Sequence, residues 1–138
     1  MSTKIQTACI IDDDEIYKYG FRKFVTMKNF CDNILDFGNG KDALDYLKNP
    51  LNRNKLPDII FLDLEMPVMT GWEFLEEFKK VKSQLKKHID ILMVTSSYNY
   101  KDVVRAKTCL EISDFIVKPI DGVQFSAAFD LEKSAINF

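Results

Sequence analysis

The chain has 138 residues, the length of one domain. Its 19 basic and 21 acidic residues leave a formal charge of −2, which argues against a strongly basic nucleic-acid binder and against an acidic disordered tail. Apolar residues make up 46% and charged residues 29%, the profile of a folded core under a wetted surface; no apolar run approaches the ~20 residues that span a bilayer. Cys9, Cys31 and Cys109 are an odd number without a CxxC pair, so neither a disulfide framework nor a zinc knuckle is expected. Met1 to Gln6 lacks the apolar segment of a signal peptide, and the expected compartment is cytoplasmic.

The elements follow in chain order. Ala8–Ile11 is a short apolar run and predicts a strand. Glu15–Lys28 has helical spacing, with apolar groups on more than one side. Ile16, Gly20, Lys23 and Met27 share one face, with Tyr17, Phe21 and Phe24 beside it. That distribution implies either deeper burial or a docking surface, the docking reading being favoured, with Phe21 as the residue to test. Cys31–Phe37 carries Asp32, Asn33 and Asp36 and predicts an edge strand. A helix over Lys41–Lys48 is followed by a polar loop, Asn49–Pro57, containing Pro50 and Pro57.

Ile59–Leu62 predicts the third strand. Thr70 with Glu73 three residues later is a capping box that opens a helix over Gly71–Lys82, in which Trp72 is a packing residue. Lys79, Lys80, Lys82, Lys86 and Lys87 form a wet basic face, and His88, the sole histidine, is expected in solvent. Ile91–Val94 predicts a strand and Asn99–Leu110 a helix whose end, Leu110-Glu111-Ile112, lacks a capping glycine. Phe115–Val117 is the last strand, and Asp121 caps a final helix to Ile136. Uninterrupted apolar strands alternating with helices predict an α/β fold, a parallel sheet covered on both faces with right-handed crossovers. Five such units use the whole of 1–138, so a single domain without an effector module is expected.

In open α/β sheets the ligand crevice lies beyond the carboxyl ends of the strands. The residues there are Asp12, Asp13 and Asp14 after the first strand and Asp63 after the third. Thr95 follows the fourth, and Lys118 then Pro119 follow the fifth. Clustered carboxylates repel and raise one another's pKa unless a hard divalent cation neutralises them. Oxygen ligands of this kind suit Mg²⁺, which commonly bridges carboxylate to phosphate. A carboxylate, a metal, an ammonium and a hydroxyl around one point fit phosphoryl transfer to an aspartate, with Asp63 as nucleophile.

These residues resemble the receiver (CheY-like) domain of two-component response regulators. The matching pieces are Ile10-Ile11-Asp12-Asp13, Leu62-Asp63-Leu64-Glu65-Met66-Pro67-Val68-Met69-Thr70-Gly71, Val94-Thr95-Ser96-Ser97 and Phe115-Ile116-Val117-Lys118-Pro119. The resemblance implies a flavodoxin-like (βα)5 sheet of strand order 2-1-3-4-5, with a cis Lys118–Pro119 bond. It implies that Asp63 is the phosphoacceptor. Asp13, Asp63 and the Glu65 backbone carbonyl would hold Mg²⁺ directly and Asp12 through water. Thr95 and Lys118 would contact the phosphoryl group. Thr95 turning toward that group and Phe115 rotating inward would shift the surface of the fourth helix, fifth strand and fifth helix. Phe115 has no hydroxyl for a switch based on a tyrosine hydrogen bond.

The implied partners are a sensor histidine kinase or histidine phosphotransfer protein upstream and a protein target downstream. No direct nucleic-acid contact and no membrane insertion are implied. Such a chain is a switch rather than a turnover enzyme. Glu65 and Ser97 occupy flanking positions that vary in the family and help set phosphoryl lifetime.

One alternative belongs to another class. Asp12-Asp13-Asp14-Glu15-Ile16 resembles the Asp-x-Asp-x-Thr/Val opening of haloacid-dehalogenase-type phosphatases, with Asp12 as nucleophile. Against it, Ile16 is neither Thr nor Val, and no acidic strand end follows Lys118. A flavin-mononucleotide binder lacks its phosphate-cradling loop here, and the acidic rim would repel the phosphate.

Overall fold

The continuous apolar runs Ala8–Ile11, Ile59–Leu62 and Ile91–Val94 are satisfied in the middle of a three-layer sandwich, and that is where they lie. The computed structural model describes residues 5–130. The elements are β1 (Ile5–Ile11), α1 (Glu15–Met27), β2 (Cys31–Phe37), α2 (Gly40–Lys48), β3 (Ile59–Asp63), α3 (Gly71–Leu85), β4 (Asp90–Thr95), α4 (Tyr100–Lys107), β5 (Ile112–Val117) and α5 (Gly122–Ala128). The sheet is parallel, in the order β2-β1-β3-β4-β5. Part of the helix predicted to run to Ile136 lies outside the described residues. Within them, α5 ends at Ala128 with Phe129 as its cap.

Side chains alternate between the faces. Cys9, Ile11, Ile60, Leu62, Ile91 and Met93 pack with α2 and α3 through Leu44, Leu47, Phe74 and Phe78. Ile10, Ile59, Phe61, Leu92 and Val94 pack on the other face with α1 and α5, through Phe21, Val25 and Phe125. Every residue of β3 is buried.

This packing decides between burial and docking on the first helix, against docking at Phe21. Phe21 is a core residue, 3% exposed, with its ring edge-on to Phe61 at a centroid distance of 4.9 Å. Burying such a ring stabilises the fold by about 2–3 kcal/mol. The solvent face of α1 is Ile16, Tyr19, Gly20, Lys23 and Met27 instead.

The ends of the elements are set locally. Asp14 caps α1, its Oδ1 accepting from the amides of Ile16 and Tyr17 at 3.0 Å. The Thr70–Glu73 capping box opens α3, and Asp121 with Gln124 forms a second one at α5. The polar loop after α2 contains a 3₁₀ helix, Pro50–Lys55, and α4 stops at Lys107 with Thr108 in the right-handed region. Leu110 therefore lies beyond the helix, almost fully exposed. No helix among the described residues is long and apolar enough to cross a membrane.

Candidate functional site

Three chain segments leave the sheet at its carboxyl end carrying acid or base. β1 ends in Asp12 and Asp13, β3 in Asp63, and β5 is followed by Lys118. Asp12 and Asp63 are 2% and 6% exposed, whereas Asp13 faces solvent. One carboxylate oxygen from each of the three lies within 4.8 Å of the others. Asp14, counted on the acidic rim from its place in the chain, is not in this cluster, because its carboxylate is spent on the α1 cap.

Both oxygens of Asp12 are engaged. Oδ1 accepts from the Asp14 amide at 2.9 Å, and Oδ2 accepts from Lys118 Nζ at 2.7 Å. Asp63 lies farther from the same ammonium, at 3.8 Å. The Asp63 carboxyl is pushed up to about 7. Burial is the main cause, followed by the charge of Asp12; Lys118 opposes both, Asp13 raises it again, and a hydrogen bond from the Glu65 backbone lowers it. A cation placed among the three oxygens would remove the repulsion, and the all-carboxylate donor set fits a hard ion such as Mg²⁺.

The loops around the cluster are tightly specified. A Cβ on Gly71 would sit 2.7 Å from the Asp63 carbonyl oxygen and 3.0 Å from Leu64 Cα, so only glycine lets α3 start so close beneath the end of β3. The Gly71 amide donates to Leu64 O at 2.8 Å. Between them Val68 holds a φ of 72°, and the Met69 amide donates to Pro67 O at 2.7 Å. This is a left-handed three-residue turn, a conformation that strains a β-branched residue. The Lys118–Pro119 bond is cis, as the resemblance implied.

Thr95 is fully buried at the end of β4; its hydroxyl donates to Ser97 O at 3.1 Å. Phe115 is half-buried in β5 and packs on the α3 side of the sheet. Ser97 Oγ donates to Glu65 Oε1 at 2.9 Å, tying the loop after β4 to the loop after β3. The sequence marked both residues but not their pairing. Trp72 Nε1 donates to Asp102 at 3.1 Å and its ring lies 4.2 Å from the Arg105 guanidinium, so it links α3 to α4. His88 is exposed beside Asp90. Tyr17, placed by the sequence only beside the apolar face of the first helix, lies at this site, its ring centroid 4.1 Å from Lys118 Nζ. The available signal was a tyrosine among apolar positions one turn after Asp13.

The sequence profile of the response regulator receiver domain matches residues 8–130. The chain belongs to the response regulator receiver family. Its relatives include the sensor histidine kinase CheAY of Helicobacter pylori, 32% identical over 112 residues, covering 81% of this chain and 13% of that protein. A protein-glutamate methylesterase/protein-glutamine glutaminase of Treponema pallidum is 42% identical over 84 residues, covering 59% of this chain and 18% of that protein. The receiver thus spans under a fifth of the length of these curated relatives. Among solved structures, a two-component response regulator from Cytophaga hutchinsonii shares the fold with a TM-score of 0.86 at 23% identity, covering 98% of this chain and 100% of that one. This chain is a receiver domain of two-component signalling, with an acidic pocket of the kind at which receivers bind Mg²⁺.

Proposed function

We propose that this receiver is a phosphorylation-controlled switch, with Asp63 accepting a phosphoryl group from a histidine kinase or histidine phosphotransfer protein. The observation that carries this reading is the unequal use of the two buried carboxylates. Asp12 has both oxygens committed, whereas Asp63 stands 3.8 Å from Lys118 with two carboxylates beside it. The same contrast argues against Asp12 as a phosphatase nucleophile.

Asp13, Asp63 and the Glu65 backbone carbonyl would hold Mg²⁺, with Asp12 acting through water. Bound there, the ion supplies neutralising charge for the carboxylates and for the incoming phosphoryl oxygens. An Asp63 oxygen forms the new bond to phosphorus as the bond to the donor's leaving group breaks, and the leaving group departs with that electron pair. Lys118 offers its ammonium to the transferred group. Thr95 exchanges its bond to Ser97 O for a phosphoryl oxygen, and Phe115 moves into the space that releases. This biases the α4–β5–α5 surface toward a downstream protein partner. The receiver acts in the cytoplasm, passing its signal to another protein.

The test is incubation with Mg²⁺ and acetyl phosphate, read by intact mass. Wild type gains one phosphoryl group and Asp63→Asn gains none. Labelling that survives Asp63→Asn but vanishes in Asp12→Asn would sink the reading in favour of the phosphatase.

A further inference from the structure

Tyr17 stands at the start of α1, its ring wedged between the acidic cluster and the groove where α1 meets the turn into α5. That groove is lined by Phe21, Phe24, Pro119, Ile120 and Phe125, apolar surroundings that a phenylalanine would suit equally well. The hydroxyl is what packing does not explain. Its oxygen is buried and has no hydrogen-bond partner among the described residues. A buried hydroxyl in that state costs about 1–3 kcal/mol and calls for an explanation, an ordered water or a functional partner among them.

The surroundings say which partner. Burial and the charges of Asp12 and Asp63 all oppose loss of the phenolic proton, so the group is a donor. It lies close enough to both carboxylates to feel their charge, yet bonds to neither. Lys118 Nζ sits over the same ring and reaches Asp12 at 2.7 Å and Asp63 at 3.8 Å. Tyr17 therefore borders both the buried carboxylates and the ammonium. A cation would lie among the three carboxylates; what fits between two donors is an oxyanion.

We propose that the Tyr17 hydroxyl is a phosphoryl-binding group of this receiver, donating beside Lys118 to an oxygen of the phosphoryl group carried by Asp63. The assignment rests on Asp63 being the phosphoacceptor. A neutral donor to a charged acceptor corresponds to a roughly tenfold effect on binding or rate. The ring has a separate part, keeping the ammonium over its face.

Tyr17→Phe keeps the ring and removes the hydroxyl, whereas Tyr17→Leu removes both. Three quantities are read for each variant beside its unfolding midpoint: the rate of labelling by acetyl phosphate, the affinity for beryllium fluoride as a non-covalent phosphoryl mimic, and the affinity for Mg²⁺ alone. The expected result for Tyr17→Phe is about tenfold slower labelling and about tenfold weaker beryllium fluoride binding, with Mg²⁺ affinity within twofold of wild type. Tyr17→Leu should lose more of both. Wild-type labelling and beryllium fluoride affinity in Tyr17→Phe would overturn the proposal, even if Tyr17→Leu were impaired, since only the ring would then matter. An equal loss of Mg²⁺ affinity in Tyr17→Phe would overturn it too, assigning the hydroxyl to the metal's water shell. Failure of the underlying reading looks different: the wild type takes no label, or Asp63→Asn still takes it.

Discussion

Two clusters of charge are sequestered in this receiver, and they are built to opposite ends. At the edge of the sheet, Lys18 of α1 is 3% exposed, with its Nζ 2.6 Å from both Asp36 of β2 and Glu15. Arg22 pairs with the other side of Asp36. Two cations meet two anions. Burial opposes the Lys18 charge, but hydrogen bonds and attraction from Asp36 and Glu15 outweigh it and hold the ammonium above its ordinary pKa. At the carboxyl ends of the strands, Asp12, Asp13 and Asp63 meet, among the described residues, the single cation Lys118. Three anions meet one cation, and the Asp63 carboxyl is pushed up to about 7. A balanced cluster closes the fold. An unbalanced one stores a demand for positive charge that a metal or a donor can meet.

The sharpest way to break this comparison is to neutralise one group in each cluster. Lys18→Met leaves Asp36 and Glu15 without their central ammonium and should cost about 2 kcal/mol in urea unfolding, below the figure for a fully buried pair because Glu15 is exposed and Asp36 keeps Arg22. Asp63→Asn should do the reverse, raising metal-free stability by about 2 kcal/mol at pH 8. That figure is about half the value the full pKa difference implies, discounted for solvent screening. Equal signs for the two variants would end the contrast.

The Asp63 effect has a definite pH window. Its folded pKa of about 7 lies above the ordinary carboxylate value near 4, so the folded state holds the proton more tightly. Its contribution is fully present below about pH 4 and is lost as pH rises toward about 7. The stability gap between Asp63→Asn and wild type should therefore be near zero at pH 4, open between pH 4 and 7, and level off above. Saturating Mg²⁺ at pH 8 should close it again by stabilising the wild type alone.

Further effects sharpen how the unbalanced cluster is framed. Gly71→Ala forces a Cβ against the Asp63 carbonyl and should cost about 2 kcal/mol, with weakened Mg²⁺ stabilisation as its second signature. Val68→Gly should stabilise by about 1 kcal/mol, because glycine takes a positive φ without steric cost and Val68 is 80% exposed. A calorimetric melt distinguishes the two by sign.

Much of this was legible beforehand because the signals are local. The apolar runs predicted the strands, and Cys31–Phe37 begins and ends where its polar interruptions placed an edge strand. Thr70 and Asp121 cap the helices they precede. The first helix was less legible. Phe21, Ile16 and Met27 are all apolar, and only packing against Phe61 and Phe125 decides that Phe21 is core while Ile16 and Met27 are exposed. Asp13 and Asp14 both precede the first helix closely enough to cap it, and Asp14 is the one that does. The cap took it, because free amides at a helix start compete for the nearest carboxylate.

The sequence alone determined the alternation of strands and helices, their approximate ends, and the delivery of Asp12, Asp13, Asp63, Thr95 and Lys118 to one rim. Those features depend on periodicity and on residues adjacent in the chain. Tertiary structure decided the relations across the chain: Lys118 bonded to Asp12 over 106 positions, Ser97 bonded to Glu65, and the Tyr17 ring under the Lys118 ammonium with its hydroxyl unspent. Distances of a few ångströms between strands fix those partners, and only the register and twist of the folded sheet set them.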